Sequence, residues 1–575
     1  MKSNQTVTEY FKIGDNGGVI FVDRNGVEIE ITRSTITLEA LSRTPENDGW
    51  SLNLNVTNLD GKLVDVRIPL TELTGTGLPA LQLLAGKGVL ANHQCEKLLV
   101  AFLKSIETTN RIVDVSTCGW VAGDYPTTFI TSEYILGGRD QIFNFTPSTD
   151  INRKQRKQLV KGTLKKWKKY VAENAEGNPL MVFCLSLAFL GPLVLPLGIE
   201  PGGFHLYAKT SRGKTTLLCL AGSVWSNGVD PAVDALNSFI TRWNATQNGM
   251  ELIAATTSDT LTCLDELGAS NNHDLSSMIY VLCGGTGKKT MARDRSAQKV
   301  NRWRCIVLST GELTIKDAIE QTGKIAKGGI LQRMIDIPAD NIFPVLPEET
   351  SAAEFSTYIK RVASNYYGTA GKAFLTALIE ELEDNFERTL KILKESLQEN
   401  ISALTPADAS PEQARVCRRL AAVQLAGELA VDADILPFPR DEIRASVEFV
   451  RNAWLGTHVT IDDAVRGMMR LQEFLIRNGK GLPSINDQVF RNAQAFWDQA
   501  KDLFYFTDEQ LSEASKFKNT RELAQLLKRN DLLFVNESSR HKAKVKLGTS
   551  GKYGRFYAVK AGILTEEFYT TDNES

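Results

Sequence analysis

The stretch Phe204 to Leu218, FHLYAKTSRGKTTLL, combines an apolar strand, a loop of small and polar residues, and the start of an apolar helix. This order predicts a phosphate-binding loop, because the pattern G-x-x-x-x-G-K-[ST] carries out that task between a strand and a helix. One position departs from the pattern, since Ala208 replaces the first glycine. The alternative is a chance G-K-T-T in a turn before a helix.

The loop pattern gives each position a chemical role. Gly213 lets the backbone close on phosphate, Lys214 reaches the β- and γ-phosphates, and Thr215 ligates Mg²⁺. ATP and Mg²⁺ are therefore the predicted cofactors. The residues predicted to bind them through this loop are Ala208, Lys209, Thr210, Ser211, Arg212, Gly213, Lys214, Thr215 and Thr216.

A second motif, LTCLDEL from Leu261 to Leu267, is an apolar strand that ends in two adjacent acids. Asp265 is expected to hold the Mg²⁺ shell, and Glu266 to orient and deprotonate the attacking water. A strand-end Asp-Glu pair alone is weak evidence. In order after the loop, it favours ATP hydrolysis over a chance match.

Two further segments complete a predicted catalytic set. RWRCIVLS, from Arg302 to Ser309, is an apolar strand at whose tip Ser309 or Thr310 can hydrogen-bond the attacking water. An ordinary exit from strand to turn explains either residue equally well. Arg333, in GGILQRMID, is expected to act in trans on the ATP of a neighbouring subunit, and the alternative is a surface or salt-bridge arginine.

The segment Gly284 to Arg304 carries seven basic residues from Lys288 onward against one acid, Asp294. We predict a β-hairpin that follows a phosphate backbone without reading sequence, and the alternative is a solvated charged hairpin. The predicted DNA-binding residues are Lys288, Lys289, Arg293, Arg295 and Lys299.

Composition limits which classes of protein this chain can belong to. The 575 residues are 42% hydrophobic with a net charge of −2, so any nucleic-acid site must be a local basic patch. Eight scattered cysteines without a C-x-x-C pair fit a reducing cytoplasm, and the N-terminus lacks a secretory pattern. The uncharged stretch from Asn178 to Ile199 is expected to be a buried core helix, because Gly191, Pro192, Pro196 and Gly198 break it. No membrane partner is expected.

Periodicity predicts an α/β protein of several domains. Residues 1–150 are an α+β accessory domain with hairpins around Asn25-Gly26 and Asp60-Gly61, and residues 151–345 are the phosphate-loop core. Residues 346–490 are a helical lid region. Residues 491–575, with helices closed by two strands, suggest a winged helix.

Several of these motifs together resemble the family called domain of unknown function 927, found in phages and mobile elements. The resemblance rests on Gly119-Trp120, the loop AKTSRGKTT, the stretch Arg242 to Thr246 (RWNAT), GTGKK with the later STGE, and Gly427 to Ala430 (GELA). The family more often has Gly where this chain has Ala208.

Members of that family resemble minichromosome-maintenance-like AAA+ helicases, which are hexameric rings that move on DNA. The resemblance makes Lys288 to Lys299 a pore hairpin and Arg333 a trans finger. It makes Arg415 or Arg418 the sensor 2 arginine of the lid and leaves the choice open. The C-terminal winged helix also fits.

The leading functional hypothesis is a homohexameric DNA helicase that replicates a mobile element, acts on single-stranded or forked DNA, and meets replication or loading proteins of that element. The alternative is a DNA-binding initiator or regulator whose ATPase is a nucleotide switch without unwinding. Primase activity is disfavoured, because neither a zinc-ligand cluster nor an acidic D-x-D set is present.

Overall fold

The computed structural model describes residues 10–121, 123, 126–138, 141–146, 160–210, 212–269, 275–287, 302–322, 326, 328–407, 409–457, 461–485, 493–536, 541–546 and 553–565. The chain forms two compact units, Met1–Ala453 and Trp454–Ser575. It is a mixed α/β protein with several sheets.

The N-terminal part of the first unit is built from antiparallel hairpins. Both hairpins predicted from the sequence are confirmed, one turning near Gly26 and the other near Gly61. A five-stranded sheet has the order β11-β7-β4-β5-β6, and β1-β2-β3 form a separate sheet. The elements are β1 Phe11–Ile13, β2 Val19–Val22, β3 Glu28–Thr32, β4 Ile36–Arg43, β5 Ser51–Thr57, β6 Leu63–Pro69, α1 Leu78–Ala85, α2 Glu96–Ser105 and β7 Arg111–Val115.

A small sheet, β10-β9-β8, follows in the chain. Its first strand consists of Gly119 and Trp120, the pair singled out in the sequence. The elements are β8 Gly119–Trp120, β9 Phe129–Ile130, β10 Ile135–Leu136 and β11 Ile142–Phe145, and β11 returns to pair in parallel with β7.

The apolar segment after residue 178 lies in the core, as predicted. Every residue of α4 after its first proline is buried, and the ring of Phe183 packs edge-on against Phe204, with 5.1 Å between ring centroids. Among the described residues no single helix is long and apolar enough to cross a membrane. One pair, Pro179–Ala188 with Gly191–Leu197, passes on length and composition but bends by 48°. The elements are α3 Leu164–Trp167, α4 Pro179–Ala188 and α5 Val194–Leu197.

A five-stranded parallel sheet forms the centre of the first unit, with the order β13-β14-β15-β12-β16. Its central strands β14, β15 and β12 are mostly apolar and buried, as strands covered on both faces must be. The elements are β12 Gly202–Tyr207, α6 Lys214–Gly222, β13 Thr241–Arg242, α7 Gln247–Thr256, β14 Leu261–Asp265, α8 Leu275–Gly284, β15 Ile306–Gly311, α9 Ile315–Gln321, α10 Gly328–Leu331 and β16 Met334–Pro338.

Long helices follow, and α14 packs on both α4 and α13. Capping boxes begin α11 at Ser351 and α14 at Ser410, so side chains satisfy the first backbone amides of both helices. The division between the two units falls within α15. The helices are α11 Ala352–Ala363, α12 Thr369–Asp384, α13 Phe386–Leu404, α14 Pro411–Asp432, α15 Arg440–Thr457 and α16 Ile461–Asn478.

In the second unit, α16 packs against α17 and α18, and a sheet of order β17-β18-β21-β19 closes the core. Strand β20 pairs with β21 as a hairpin. The elements are β17 Phe496–Asp498, β18 Leu503–Phe506, α17 Asp508–Ser515, α18 Thr520–Arg529, β19 Leu533–Phe534, β20 Ala543–Lys546 and β21 Tyr553–Lys560.

A buried ion pair joins the small N-terminal sheet to the amino ends of β14 and β15. The carboxylate of Asp259 accepts hydrogen bonds from Nε and Nη2 of Arg304, both at 2.6 Å, and from the backbone N–H of Trp120 at 2.9 Å. A Cβ at residue 119 would lie 2.2 Å from this carboxylate, so Gly119 is required there. The Trp120 indole donates to the carbonyl of Pro192 at 2.8 Å.

We predict that Arg304→Ala lowers the free energy of unfolding by about 3 kcal/mol, because it leaves the Asp259 charge buried and unpaired. Arg440→Ala is the matched control, since Arg440 pairs with Asp432 on the surface and the change should cost less than about 1 kcal/mol. Urea unfolding followed by tryptophan fluorescence measures both. Equal losses in the two variants would contradict the structural role of the Asp259 pair.

Candidate active site

The carboxyl ends of β12, β13, β14 and β15 meet at one edge of the central sheet. Parallel register makes this unavoidable, since Tyr207 lies beside Gly311, Leu264 beside Ser309, and Arg242 beside Asp265. A cavity of about 1370 Å³ opens at this edge, and we call it the carboxyl-edge cavity. Ligands of parallel sheets bind at such edges.

The predicted phosphate loop forms one wall of this cavity. Gly213 has φ +97°, a conformation that favours glycine, and it caps α6 at the point where free backbone amides face outward. The Lys214 ammonium donates to the carbonyls of Ala208 at 2.7 Å and Lys209 at 2.9 Å. Burial lowers the pKa of Lys214, while the charges of Glu312, Asp265 and Asp340 oppose that shift.

Other loop residues differ in where they point. Thr210 and Arg212 line the carboxyl-edge cavity. Thr216 is buried, and its hydroxyl shares a 2.6 Å hydrogen bond with Ser356 of α11. Ser211 lies outside the described residues.

The two acids of the second motif stand opposite the loop. Thr215 Oγ1 lies 3.3 Å from both carboxylate oxygens of Asp265. Glu266 is exposed to the cavity, and its φ of +61° is a left-handed conformation that a non-glycine residue adopts at some cost. A hydroxyl beside a carboxylate supplies the oxygen ligands that Mg²⁺ prefers, and Mg²⁺ typically takes only one or two carboxylates alongside phosphates. These residues therefore fit a magnesium–nucleotide complex.

At the end of β15, the side chains of Thr310 and Ser309 point to opposite faces of the sheet. Thr310 Oγ1 donates to Asp265 Oδ1 at 2.5 Å and accepts from the backbone N–H of Glu266 at 3.3 Å. Ser309 points to the other face of the sheet and is fully buried. The geometry thus brings Thr310, and not Ser309, to the carboxyl-edge cavity.

Ser309 belongs to a buried chain of hydrogen bonds that crosses three segments. The Trp243 indole donates to Ser309 Oγ at 2.8 Å, and Ser309 Oγ lies 2.9 Å from His205 Nδ1. His205 Nε2 lies 2.9 Å from the carbonyl of Leu313, which can only accept. Nε2 therefore carries the proton, and Ser309 donates to Nδ1. Burial lowers the pKa of His205 to about 4.

The remaining predicted residues lie away from this cavity. Arg333 precedes β16 at the amino edge of the sheet, about 13 Å from the carboxyl edge by the length of the paired strand. Arg415 Nη1 donates to Gln332 Oε1 at 2.6 Å, so it lies beside Arg333, and Arg418 is exposed on α14. Neither lines the cavity of its own chain.

The predicted DNA-binding residues, Lys288, Lys289, Arg293, Arg295 and Lys299, lie outside the described residues. The two described ends of that segment pair in antiparallel fashion. Thr286 bridges Arg302, and the Trp303 N–H donates to the Gly285 carbonyl at 3.0 Å.

The structure adds cavity residues that the sequence did not identify. Arg242 stands at the tip of β13, and Glu312 contacts Thr210 through a hydrogen bond. Lys360 of α11 also lines the cavity and forms an ion pair with Asp230 at 2.7 Å. Arg242 and Glu312 belong to the RWNAT and STGE stretches, so those motifs were the available signal.

These features define a multidomain α/β protein whose central parallel sheet carries a polar cavity at its carboxyl edge. The family model "Domain of unknown function (DUF927)" matches residues 15–302, and the chain belongs to that family. The predicted family is confirmed. No curated protein matches the chain.

One solved structure gives a fold likeness over nearly the whole chain. The structure "SCCmec type IV Cch - active helicase" aligns with 98% of this chain and 100% of its own, at a TM-score of 0.58 and 16% identity. The C-terminal region of NrS-1 covers 91% of this chain and 96% of its own, at a TM-score of 0.27 and 9% identity. The similarity to the first of these structures shows the fold of this chain.

We predict that the free energy of unfolding of the first unit decreases as the pH falls from 6.5 to about 4. The reason is that His205 takes up a proton in the unfolded state over this range but stays neutral in the folded state. The unfolded state binds more protons in this window, so stability rises with pH, and His205 accounts for about 3 kcal/mol. His205→Gln replaces the imidazole by a neutral side-chain amide and removes the titration. Urea unfolding across pH should show a flatter profile in the variant, and an unchanged slope would contradict the neutral, buried histidine.

Proposed function

We propose that this chain is an AAA+ ATPase of the minichromosome-maintenance-like kind, a homohexameric helicase that serves replication of a phage or mobile element. One observation carries the proposal. Lys214, Thr215, Asp265, Glu266 and Thr310 come from three separate segments and converge on the carboxyl-edge cavity.

In this proposal the phosphate loop binds the triphosphate of ATP. Lys214 exchanges its bonds to the Ala208 and Lys209 carbonyls for bonds to phosphate oxygens, which are stronger because both partners are charged. Amides at the start of α6 receive further phosphate oxygens. Thr215 and Asp265 would hold Mg²⁺, which would supply positive charge to offset that of the phosphates.

Glu266 is the proposed general base for the attacking water. Thr310 is the proposed sensor 1 residue, because its hydroxyl touches both Asp265 and the backbone of Glu266. A movement of Thr310 would therefore shift the metal ligand and the base together.

Arg333 is the proposed finger for the nucleotide of a neighbouring subunit. It lies at the opposite edge of the sheet from the cavity of its own chain, so it cannot serve that cavity. Arg415 lies next to it through Gln332, which favours Arg415 over Arg418 as the sensor 2 arginine. The position beside Arg333 suggests that Arg415 also acts across the subunit interface.

The proposed DNA contacts include the basic segment around Lys288 to Lys299 and a described surface in the second unit. On one face of the β20–β21 hairpin, Lys544 pairs across the strands with Arg555, and Lys546 pairs with Tyr553. All four are exposed, and Tyr553 is 61% exposed. Three cations and an exposed aromatic ring, over which the Lys544 ammonium lies at 5.0 Å from the centroid, fit a phosphate backbone, which supports a winged helix in this unit.

Lys214→Ala is predicted to reduce ATP turnover at least about 100-fold and to weaken nucleotide binding, because the ammonium that meets the phosphates is lost. Phosphate release and binding of a fluorescent ATP analogue measure the two effects. Lys391→Ala on the surface of α13 is the control and should behave like the wild type. Wild-type turnover in Lys214→Ala would overturn the phosphate-loop assignment.

Arg333→Ala should leave ATP binding nearly intact and lower hydrolysis by about 10³-fold, in the range of other finger arginines. Co-assembly with Glu266→Gln subunits gives the sharper result. Some interfaces then combine an intact Glu266 with an intact Arg333 from the next subunit, so part of the activity should return. No recovery at any ratio, in rings confirmed by mass, would argue against a shared site.

A further inference from the structure

The guanidinium of Arg333 is held in place without being neutralised. Its Nη1 donates to the Gly329 carbonyl at 2.8 Å, and its Cζ lies 5.1 Å from the centroid of the Tyr280 ring. Within the part of the chain that the structure describes, no carboxylate forms an ion pair with Arg333. The described carboxylates therefore leave this charge unpaired.

Tyr280 meets this arginine from α8 and is not a core residue. Its neighbours Ile279 and Leu282 are buried at 0% and 1% exposure and anchor α8, whereas Tyr280 is 37% exposed. An aromatic ring at such a position binds a cation face-on, with a modest energy and a defined plane. Part of the residue therefore lies open to solvent.

Gly329 provides the room in which the two side chains meet. A Cβ at this position would lie 3.3 Å from Nη1 of Arg333 and 3.4 Å from the Tyr280 hydroxyl. A Cβ there would be tight against the Arg333 guanidinium and in ordinary van der Waals contact with the Tyr280 hydroxyl. Gly329 lies in α10, where alanine suits the helical backbone better than glycine does.

The backbone at Arg333 is fixed separately, from α14. Arg419 is buried, and its Nη1 donates to the carbonyls of Gln332 at 2.8 Å and Arg333 at 3.3 Å. Arg419 thus fixes where the Arg333 side chain starts, and the Gly329 carbonyl and the Tyr280 ring fix where it ends. Because a free arginine has many rotamers, the contact at its tip decides how often the guanidinium points outward in one direction.

We propose that Tyr280 is the positioning residue for Arg333: its ring holds the guanidinium in the direction from which it reaches the nucleotide of the neighbouring subunit. This role rests on the proposed finger function of Arg333. It assigns to the aromatic ring, and not to the hydroxyl, a contribution to the rate of hydrolysis in another subunit.

The test compares Tyr280→Leu, which removes the ring, with Tyr280→Phe, which keeps it, in the full-length protein with Mg-ATP. Tyr280→Leu should lower kcat about three- to tenfold with little change in KM, since the neighbour's nucleotide still binds. Tyr280→Phe should match the wild type. Thermal unfolding checks that each variant folds.

A double-mutant cycle separates positioning from a general structural effect. Tyr280→Leu combined with Arg333→Ala should turn over ATP no more slowly than Arg333→Ala alone, because the ring acts only through that arginine. A further loss in the double variant, wild-type kcat in Tyr280→Leu, or an equal loss in Tyr280→Phe would overturn the proposal. If Arg333→Ala itself retains full turnover, the finger function fails and the role of Tyr280 fails with it. If Arg333→Ala is impaired while Tyr280→Leu is not, only the present inference fails.

Discussion

The parallel pairing of β12 between β15 and β16 is the constraint on which the rest of the structure depends. It brings the ends of strands from distant parts of the chain to the same edge, and the phosphate loop, the acid pair and Thr310 meet there. The buried hydrogen-bond chain from Trp243 through Ser309 to His205 also ties β15 to β12. Each of its donors and acceptors is paired, which a fully buried polar chain requires.

The opposite, amino edge of the sheet carries Arg333, the residue proposed to act on the nucleotide of the neighbouring subunit. Asp259 and Arg304 tie Trp120 of the small N-terminal sheet to the amino ends of β14 and β15. The Trp303 indole donates to the Leu282 carbonyl of α8 at 2.9 Å, so a residue that follows the basic segment contacts the helix that carries Tyr280.

Much of the local structure could be predicted from the sequence, because it depends on local periodicity. The two N-terminal hairpins, the buried break after α4, and the strands around the phosphate loop and the acid pair are all present. The acid-pair strand also lies beside β15, the strand that carries Thr310. Domain boundaries and residue roles stay predictions.

The rest of the fold and of the candidate site depends on contacts between segments that are distant in sequence, and sequence periodicity does not predict such contacts. Alternation along β15 puts Ser309 and Thr310 on opposite faces, but only the sheet order reveals which face meets Asp265. Arg242 was not predicted to line the cavity, because β13 is only two residues long and gives no clear strand pattern. Trp120 meets Asp259 across 139 positions of sequence, and Tyr280 meets Arg333 from another helix. Sequence spacing alone does not predict such pairs.

The central claim is that ATP hydrolysis in the carboxyl-edge cavity drives movement on DNA. Its most direct test is the wild-type protein on a labelled forked duplex with Mg-ATP, with turnover and strand separation followed together across a range of salt. The account predicts that DNA raises turnover several-fold, that the fork is separated only with hydrolysable ATP, and that both effects weaken at high salt. Hydrolysis without DNA stimulation or strand separation would contradict the helicase account and favour a nucleotide switch.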